Sequence, residues 1–542
     1  MSRPNPALLA GFAILLIAAL GGVSLLKGGL FVGKHEGDTL HAMQIVFRMA
    51  EGQVPHRDFM TPIGALAFWP IAALVQTGMG FGMAVLWSQV LVAIGFLVPL
   101  VWVAANRLEP RLAFLFTLIV MVLILALVHG EAQRSVSISM HYNRWAWAAA
   151  FVAILAAVIP PTHPRSGVVD GVVIGLMATI MVMIKVTYFA AFAVPIVVGL
   201  LLTGQRRALV VAVLTGLVAA AAITAFTGPE YWLAYLDDLR TVAGSEVRAA
   251  PGEPLTAIMG APAYLGGSLL AVAGVILLRQ ARADTGGLVL LLLLPGFFYV
   301  TYQNFGNDPQ WLLLVGVLLL ALRPEAGHDL RGPQGWPMRE SLGVVAAMAL
   351  ALSAPSFFNL AYSPFRHFRV DEAGYTPLLA RGAPHDDIRS VDLRVLRVDG
   401  RIALDGPGSG LEAYRDLADR DAPSVFRGET FDYCTVELGL PSVMQAIADD
   451  LDAAGLAEGR RVFAADIFSS YWLFGSLEPL AGGAPWYYGG LAGWDDADYL
   501  LVPLCPVAQD VQRMILEDIE DAGADGLVEI RRTPLYVLFS RG

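Results

Sequence analysis

Two short stretches hold a dense set of groups that could do chemistry. Gly33–His41 and Gly52–Pro62 carry Lys34, His35, Glu36, Asp38, His41, His56, Arg57 and Asp58, set between two long apolar segments. In a chain where only 15% of residues are charged, ionisable groups kept beside membrane segments are by default a functional site. Glu36-Gly-Asp38 places two carboxylates two residues apart, an arrangement that can hold a divalent cation or supply a general base. A base must reach the hydroxyl it deprotonates, and a poorly solvated carboxylate has its pKa raised toward neutrality. For an isolated Glu-x-Asp a solvated linker loop is the simpler reading. The return of Asp58 to the same side about twenty residues later strengthens the functional one.

Three other patches are candidates to converge with it. Ser135–Trp147 combines His141, Tyr142, Asn143 and Arg144 with two tryptophans at a span entrance. Arginine binds phosphate through its planar fork, although Trp and Arg also serve as plain interfacial anchors. Lys185 is bordered by apolar residues on both sides and either snorkels to the interface or holds a lipid phosphate. Gln303, Asn304, Asn307 and Asp308 form a polar turn suited to sugar hydroxyls or simply to reversing the chain. The phosphate- or substrate-binding set is therefore His35, His56, Arg57, His141, Asn143, Arg144, Lys185, Gln303 and Asn304. Asp38, Glu36 and Asp58 are the candidate catalytic carboxylates, and Glu36 and Asp38 the candidate metal ligands, a divalent ion being the one cofactor they could hold.

The elements that must position these residues are mostly membrane helices. The 542-residue chain is 56% hydrophobic, with a mean hydropathy of +0.60, and its apolar runs have the length a bilayer crossing needs. The reading is a mainly α, polytopic helical membrane protein over residues 1–360, with a small extracytoplasmic α/β domain over 361–542. Twelve candidate spans begin at 8–30, 62–77 and 82–104 and end at 341–358. The run 8–30 is taken as a first membrane helix starting in the cytoplasm, not as a cleaved signal. Short positive loops around Arg107, Arg165, Arg206-Arg207, Arg279–Arg282 and Arg323–Arg339 read as cytoplasmic. They set the two ends on opposite sides, so an odd number of spans is expected, about eleven or thirteen. The weakest is 62–77, which is short and contains Pro70.

Within the external loop 31–61, Leu40, Met43, Val46, Phe47 and Ala50 recur at helical spacing. The segment Thr39–Glu51 is thus a surface helix with its polar face toward water or a cavity, ended by Gly52. Beyond residue 360, strand-like Arg461–Phe468, Tyr499–Val502 and Leu527–Phe539 alternate with amphipathic Pro441–Ala454 and Val507–Ala522. Ile467–Trp472 reads as a packed strand end. Cys434 and Cys505, the two cysteines of the chain, form one disulfide in an oxidising compartment or stay two buried thiols. The net charge of −11 comes with no basic stripe, which argues against nucleic-acid binding. No Walker loop, Gly-x-Ser-x-Gly or zinc pattern is present.

The order of parts resembles the C-type membrane glycosyltransferases, which include protein mannosyltransferases and the lipid A aminoarabinose transferase. The resemblance rests on Glu36-Gly-Asp38, then Gly52–Phe59 and Thr61-Pro-Ile-Gly64, and on Met183–Phe189 with Pro195 downstream. It implies a polyprenyl-phosphate sugar donor, a glycan, lipid or protein acceptor, and a bacterial inner-membrane location with the C-terminal domain in the periplasm. It also implies that an acidic residue at the start of the surface helix, the position of Asp38, is the base. The family motif often reads Asp-Glu, so Glu36 stays an alternative. Two rival readings are a lipid or polysaccharide transporter, which predicts charges near the middle of spans, and a non-catalytic envelope scaffold.

Overall fold

The computed structural model describes every residue except 1–3, 131–132, 163–165, 246, 248–255, 257–259, 304–307, 329, 333–334, 380–383, 407, 415–421, 524–525 and 542. Seven described helices are long and apolar enough to cross a membrane: Pro6–Leu25, Phe81–Arg107, Gly167–Ile184, Arg206–Thr227, Pro262–Gln280, Asp284–Gln303 and Met338–Phe368. Three shorter apolar helices, Pro110–Leu125, Val186–Leu202 and Trp311–Leu322, and the wholly buried His141–Val158 bring the apolar helices among the described residues to eleven. The protein is a polytopic helical membrane protein.

The expected span 62–77 is not one. Pro62, Gly64 and Pro70 limit it to a 3-10 turn at Ala65–Ala67 and the seven-residue helix Trp69–Val75, far short of the roughly 20 residues a crossing takes. Proline removes backbone donors and restricts the residue before it, which keeps the helix from extending back toward Thr61. Each of the other eleven expected spans coincides with an apolar helix among the described residues.

The surface helix runs Glu36–Ala50, one turn earlier than periodicity suggests. His35, at φ 63°, turns the chain into it. Glu36 and Asp38 then sit in its first turn, where carboxylates favour the positive end of the helix dipole. Gly52 at φ 92° ends it. Just before it, strand β1 (Leu30–Val32) pairs in parallel with β3 (Ile388–Val391), and β3 pairs antiparallel with β2 (Tyr375–Pro377). The external loop thus contributes a strand to the C-terminal region, which no local pattern announces.

The C-terminal region holds a four-stranded sheet in the order β10-β11-β9-β8 (Leu527–Arg532, Tyr536–Arg541, Tyr499–Pro503, Val462–Ala464). Helices Leu440–Ala453 and Gln509–Asp521 accompany it. The stretch expected to be one strand at 527–539 is a hairpin, reversed at Thr533-Pro534. Strand β4 (Asp399–Ile402) pairs with β7 (Cys434–Leu438), and β5 (Ser424–Phe426) with β6 (Glu429–Phe431). Cys434 and Cys505 are joined by a disulfide.

Candidate functional site

The surface helix is gripped from one side by the C-terminal region. Gly37, His41, Gln44 and Arg48 recur at four- and three-residue intervals and so share one face. A Cβ on Gly37 would lie 2.6 Å from the Phe468 ring, so only glycine lets that ring seat. The His41 ring stands edge-on to Trp486 at 5.5 Å. Gln44 Nε2 donates to Ser470 Oγ (2.8 Å) and Pro485 O (3.0 Å), while its Oε1 accepts from Trp472 Nε1 (3.0 Å) and Ser469 Oγ (3.3 Å). Arg48 donates to Leu480 O at 3.0 Å and lies over the rings of Phe59 and Trp472. Burial pushes its pKa down to about 10. The polar face expected to meet water or a cavity instead meets protein. Ile467–Trp472, expected as a packed strand end, leads into the 3-10 turn Ser470–Leu473, and this stretch docks the helix.

Glu36 is buried and accepts from Arg394 Nη1 at 2.9 and 3.0 Å through both carboxylate oxygens. Asp38 is half-buried. By helical spacing it shares a side with Ala42, Ile45 and Met49, away from the docking face. Its neighbours His35 and Lys34 reach the loop after helix Pro110–Leu125. Lys34 Nζ donates to Gln133 Oε1 (2.6 Å), His35 Nδ1 shares a hydrogen bond with Ser137 Oγ (2.9 Å), and the His35 ring meets that of His129 at 5.3 Å. Burial, with the charges of Lys34 and Arg394, pushes the His35 pKa down to about 4. Gly33 N–H donates to Val136 O, fixing the two loops together.

The second cluster surrounds Lys185. This residue is the extended break (φ −158°, ψ 105°) between helices Gly167–Ile184 and Val186–Leu202. It is buried, with Nζ 3.5 Å from Asn143 Oδ1 and 6.0 Å from the Tyr142 ring centre. The return segment Thr61–Phe68 packs directly on this break. Gly64 N–H donates to Ile184 O, and a Cβ on Gly64 would clash with the Met183 carbonyl. His141 Nε2 shares a hydrogen bond with Ala67 O (3.0 Å), which joins the start of helix His141–Val158 to the same segment.

Arg144 is placed differently. Its guanidinium is fully buried and donates to Val128 O (2.5 Å) and Ala126 O (2.7 Å), carbonyls left open where helix Pro110–Leu125 ends. Those contacts serve the backbone. Arg57 and Asp58 bond elsewhere than to the Lys185 cluster. Arg57 Nε and Nη2 donate to Asp58 (3.1 and 3.2 Å), and Asp58 accepts from Val54 N–H (2.7 Å). Burial raises the Asp58 pKa, but the bonds from Arg57 and Val54 outweigh it and hold it below the usual carboxylate range. The pair borders an open cleft of about 890 Å³ shared with Trp472, Glu478 and Gly482.

His56 is buried at φ 71°. Its Nδ1 lies 2.9 Å from Asp238 Oδ2, and its ring stacks on Tyr235 at 4.1 Å. Asp238 also accepts from Thr61 N–H (3.0 Å), and burial raises its pKa. Gln303 closes helix Asp284–Gln303 and is half-buried, whereas Asn304 and Asn307 lie outside the described residues. Among the described residues, no three His, Cys, Asp or Glu side chains gather as a metal-ligand set. Of the two candidate metal ligands, Glu36 has both carboxylate oxygens on Arg394.

Sequence reasoning missed Gln44, Arg394, Asp238 and the Phe468–Trp472 segment. A buried-face signal was present for Gln44 and Arg48, polar residues four apart on a helix too short to be solvated on all sides. No local signal pointed to Arg394 or Asp238, whose partners are remote in sequence.

No family model matches the chain, and no curated protein matches it either. Among solved structures it is similar to ArnT from Cupriavidus metallidurans in the apo state, at 11% identity, with 98% of each chain covered and a TM-score of 0.40. It is also similar to ArnT from the same organism bound to undecaprenyl phosphate, at 10% identity, 98% of each chain and a TM-score of 0.40. At this distance the likeness assigns no function.

Proposed function

We propose that the chain is a membrane glycosyltransferase that moves a sugar from a polyprenyl-phosphate donor to an acceptor hydroxyl outside the cytoplasm. One observation carries the reading. The chain that leaves the carboxylate-bearing surface helix returns as Thr61–Phe68 and packs against the break that holds the buried Lys185. A general base and a phosphate-seeking cation are thus built onto one continuous piece of structure at the external end of the membrane helices.

The chemistry follows from those two charges. The Lys185 ammonium, steadied by Asn143, binds the donor phosphate as a point charge and stabilises the charge that grows on it. Asp38 takes the proton from the acceptor hydroxyl. The freed oxygen bonds to the anomeric carbon as the carbon–oxygen bond to phosphate breaks, and polyprenyl phosphate leaves with the electron pair. Attack opposite the leaving group inverts the anomeric centre. Glu36 is held by Arg394, and Asp38, at the start of the surface helix, is the carboxylate assigned here as base. His35 holds the loop after helix Pro110–Leu125, and His141 and His56 anchor the return segment. Arg57 and Asp58 line a separate polar cleft.

The Cys434–Cys505 disulfide supports an oxidising location for the C-terminal region, hence the periplasmic side of an inner membrane. Purified protein in lipid nanodiscs tests the donor class. It should bind polyprenyl phosphate, and Lys185→Met should weaken that binding at least tenfold. Equal binding by the folded variant, or none by the parent protein, would rule the reading out.

A further inference from the structure

We infer that Gln44 is a positioning residue that sets the rotation of the surface helix, and with it the direction in which Asp38 points; the inference rests on the transferase reading above. Gln44 is wholly buried. A glutamine amide has two donor hydrogens and two acceptor lone pairs. One segment of the C-terminal region meets both ends of the amide: Ser470 Oγ and Pro485 O accept, Trp472 Nε1 donates, and the Ser469 hydroxyl, whose one hydrogen also reaches Ala484 O, lies 3.3 Å from Oε1. The four partners converge from different directions on one planar group. Sliding or turning the helix would break several of these bonds together.

The remaining contacts on this face fit a register key. Gly37 admits the Phe468 ring closely on one side of Gln44, and on the other Arg48 ties the helix to Leu480 O. Gln44 lies six residues after Asp38 on the same unbroken helix, so a turn at one is a turn at the other. The apolar contacts of Leu40, Met43 and Phe47 hold the helix down but discriminate poorly between nearby rotations, since they are not directional. Directional bonds do discriminate. The C-terminal region therefore does more than cover the site: it aims the base.

The test uses the full-length protein in nanodiscs. Gln44→Met keeps the length of the side chain and removes its hydrogen bonds. Trp472→Phe removes one of its partners, and the double variant reports whether the two act as a unit. A misplacement of about 1 Å costs on the order of a hundredfold in rate. Gln44→Met should therefore lower kcat ten- to a hundredfold with KM for the donor within twofold, and the double variant should lose little more than the worse single one. Helix orientation is read independently of activity. The chain's two cysteines are bonded to each other, so spin labels on Glu51→Cys and Val528→Cys report one distance. That distance should be narrow in the parent protein and broadened by Gln44→Met. An unchanged distribution overturns the positioning role, as does a broadened one with kcat intact. If the labelled parent protein shows no transfer from any polyprenyl-phosphate sugar, the transferase reading falls instead, and the distance distribution still decides whether Gln44 fixes the helix.

Discussion

Glu36 and Arg394 stand 358 positions apart in sequence, yet one guanidinium nitrogen of Arg394 lies 2.9 and 3.0 Å from the two carboxylate oxygens of Glu36. This pair joins the first turn of the surface helix to the short helix Asp392–Val395 that follows β3. It also distinguishes the two neighbouring carboxylates by their surroundings. Glu36 is committed to a docking contact, and Asp38, two residues on, is not on that face.

The first prediction follows from that separation. Glu36→Gln should keep a hydrogen bond to Arg394 and lose less than about tenfold in transfer rate, the loss expected from slight misalignment and not from a missing base. Arg394→Ala should lower stability by about 1–3 kcal/mol, because it leaves the buried Glu36 carboxylate without this donor. Steady-state kinetics and thermal midpoints of the two variants measure this. A Glu36→Gln variant as inactive as one lacking a general base would move the catalytic role to Glu36.

A pH dependence attaches to His35. Its folded pKa is depressed to about 4, first by burial, against an ordinary value near 6.5. Between those values the unfolded chain binds a proton that the native state refuses, so stability rises with pH across the window. The contribution is complete above about pH 6.5 and is lost as pH falls toward 4; its upper bound is about 3 kcal/mol. His35→Gln, which can still bond Ser137, should have a flatter stability profile from pH 7 to 5. An unchanged slope would mean that His35 does not carry this dependence.

The His56–Asp238 pair pins the return segment to helix Glu230–Ala243. Asp238→Ala leaves the buried His56 Nδ1 and Thr61 N–H without their acceptor, at a cost of about 1–3 kcal/mol each way of counting. The loosened stretch is 51–61, so limited proteolysis there should speed up before the rest of the protein unfolds. Uniform protection would show that the pair is dispensable.

The disulfide offers a fourth check. It closes a loop with a sequence separation of 71, and the chain-entropy account gives such a crosslink about 4 kcal/mol. Replacing both Cys434 and Cys505 by alanine should lower the unfolding midpoint of the C-terminal region by that order, with the membrane helices unaffected. A midpoint within 1 °C of the parent would contradict it.

What was legible in the sequence is what hydropathy and short-range spacing encode. The apolar helices, the amphipathic surface helix and the helices near 440–453 and 509–521 all announce themselves through periodicity. Even the doubtful segment 62–77 carried its own warning in Pro62 and Pro70. Hidden from view were pairings between distant parts. Nothing near Leu30 says that it will lie beside Ile388, and nothing near Gln44 says that Ser470 and Trp472 will meet it. Arg144 shows the converse, since its type fits a phosphate while its position beside the end of helix Pro110–Leu125 gives it backbone carbonyls. Residue type suggested the chemistry, and only the tertiary contacts show what each group touches.

The most direct measurement is the single-turnover rate of sugar transfer from a polyprenyl-phosphate donor by the parent protein and by Asp38→Asn, with both shown to be folded and to bind polyprenyl phosphate equally. Loss of a general base predicts a rate lower by about 10²- to 10⁴-fold in the variant, with donor binding retained through Lys185. Transfer by Asp38→Asn at the parent rate would contradict the account.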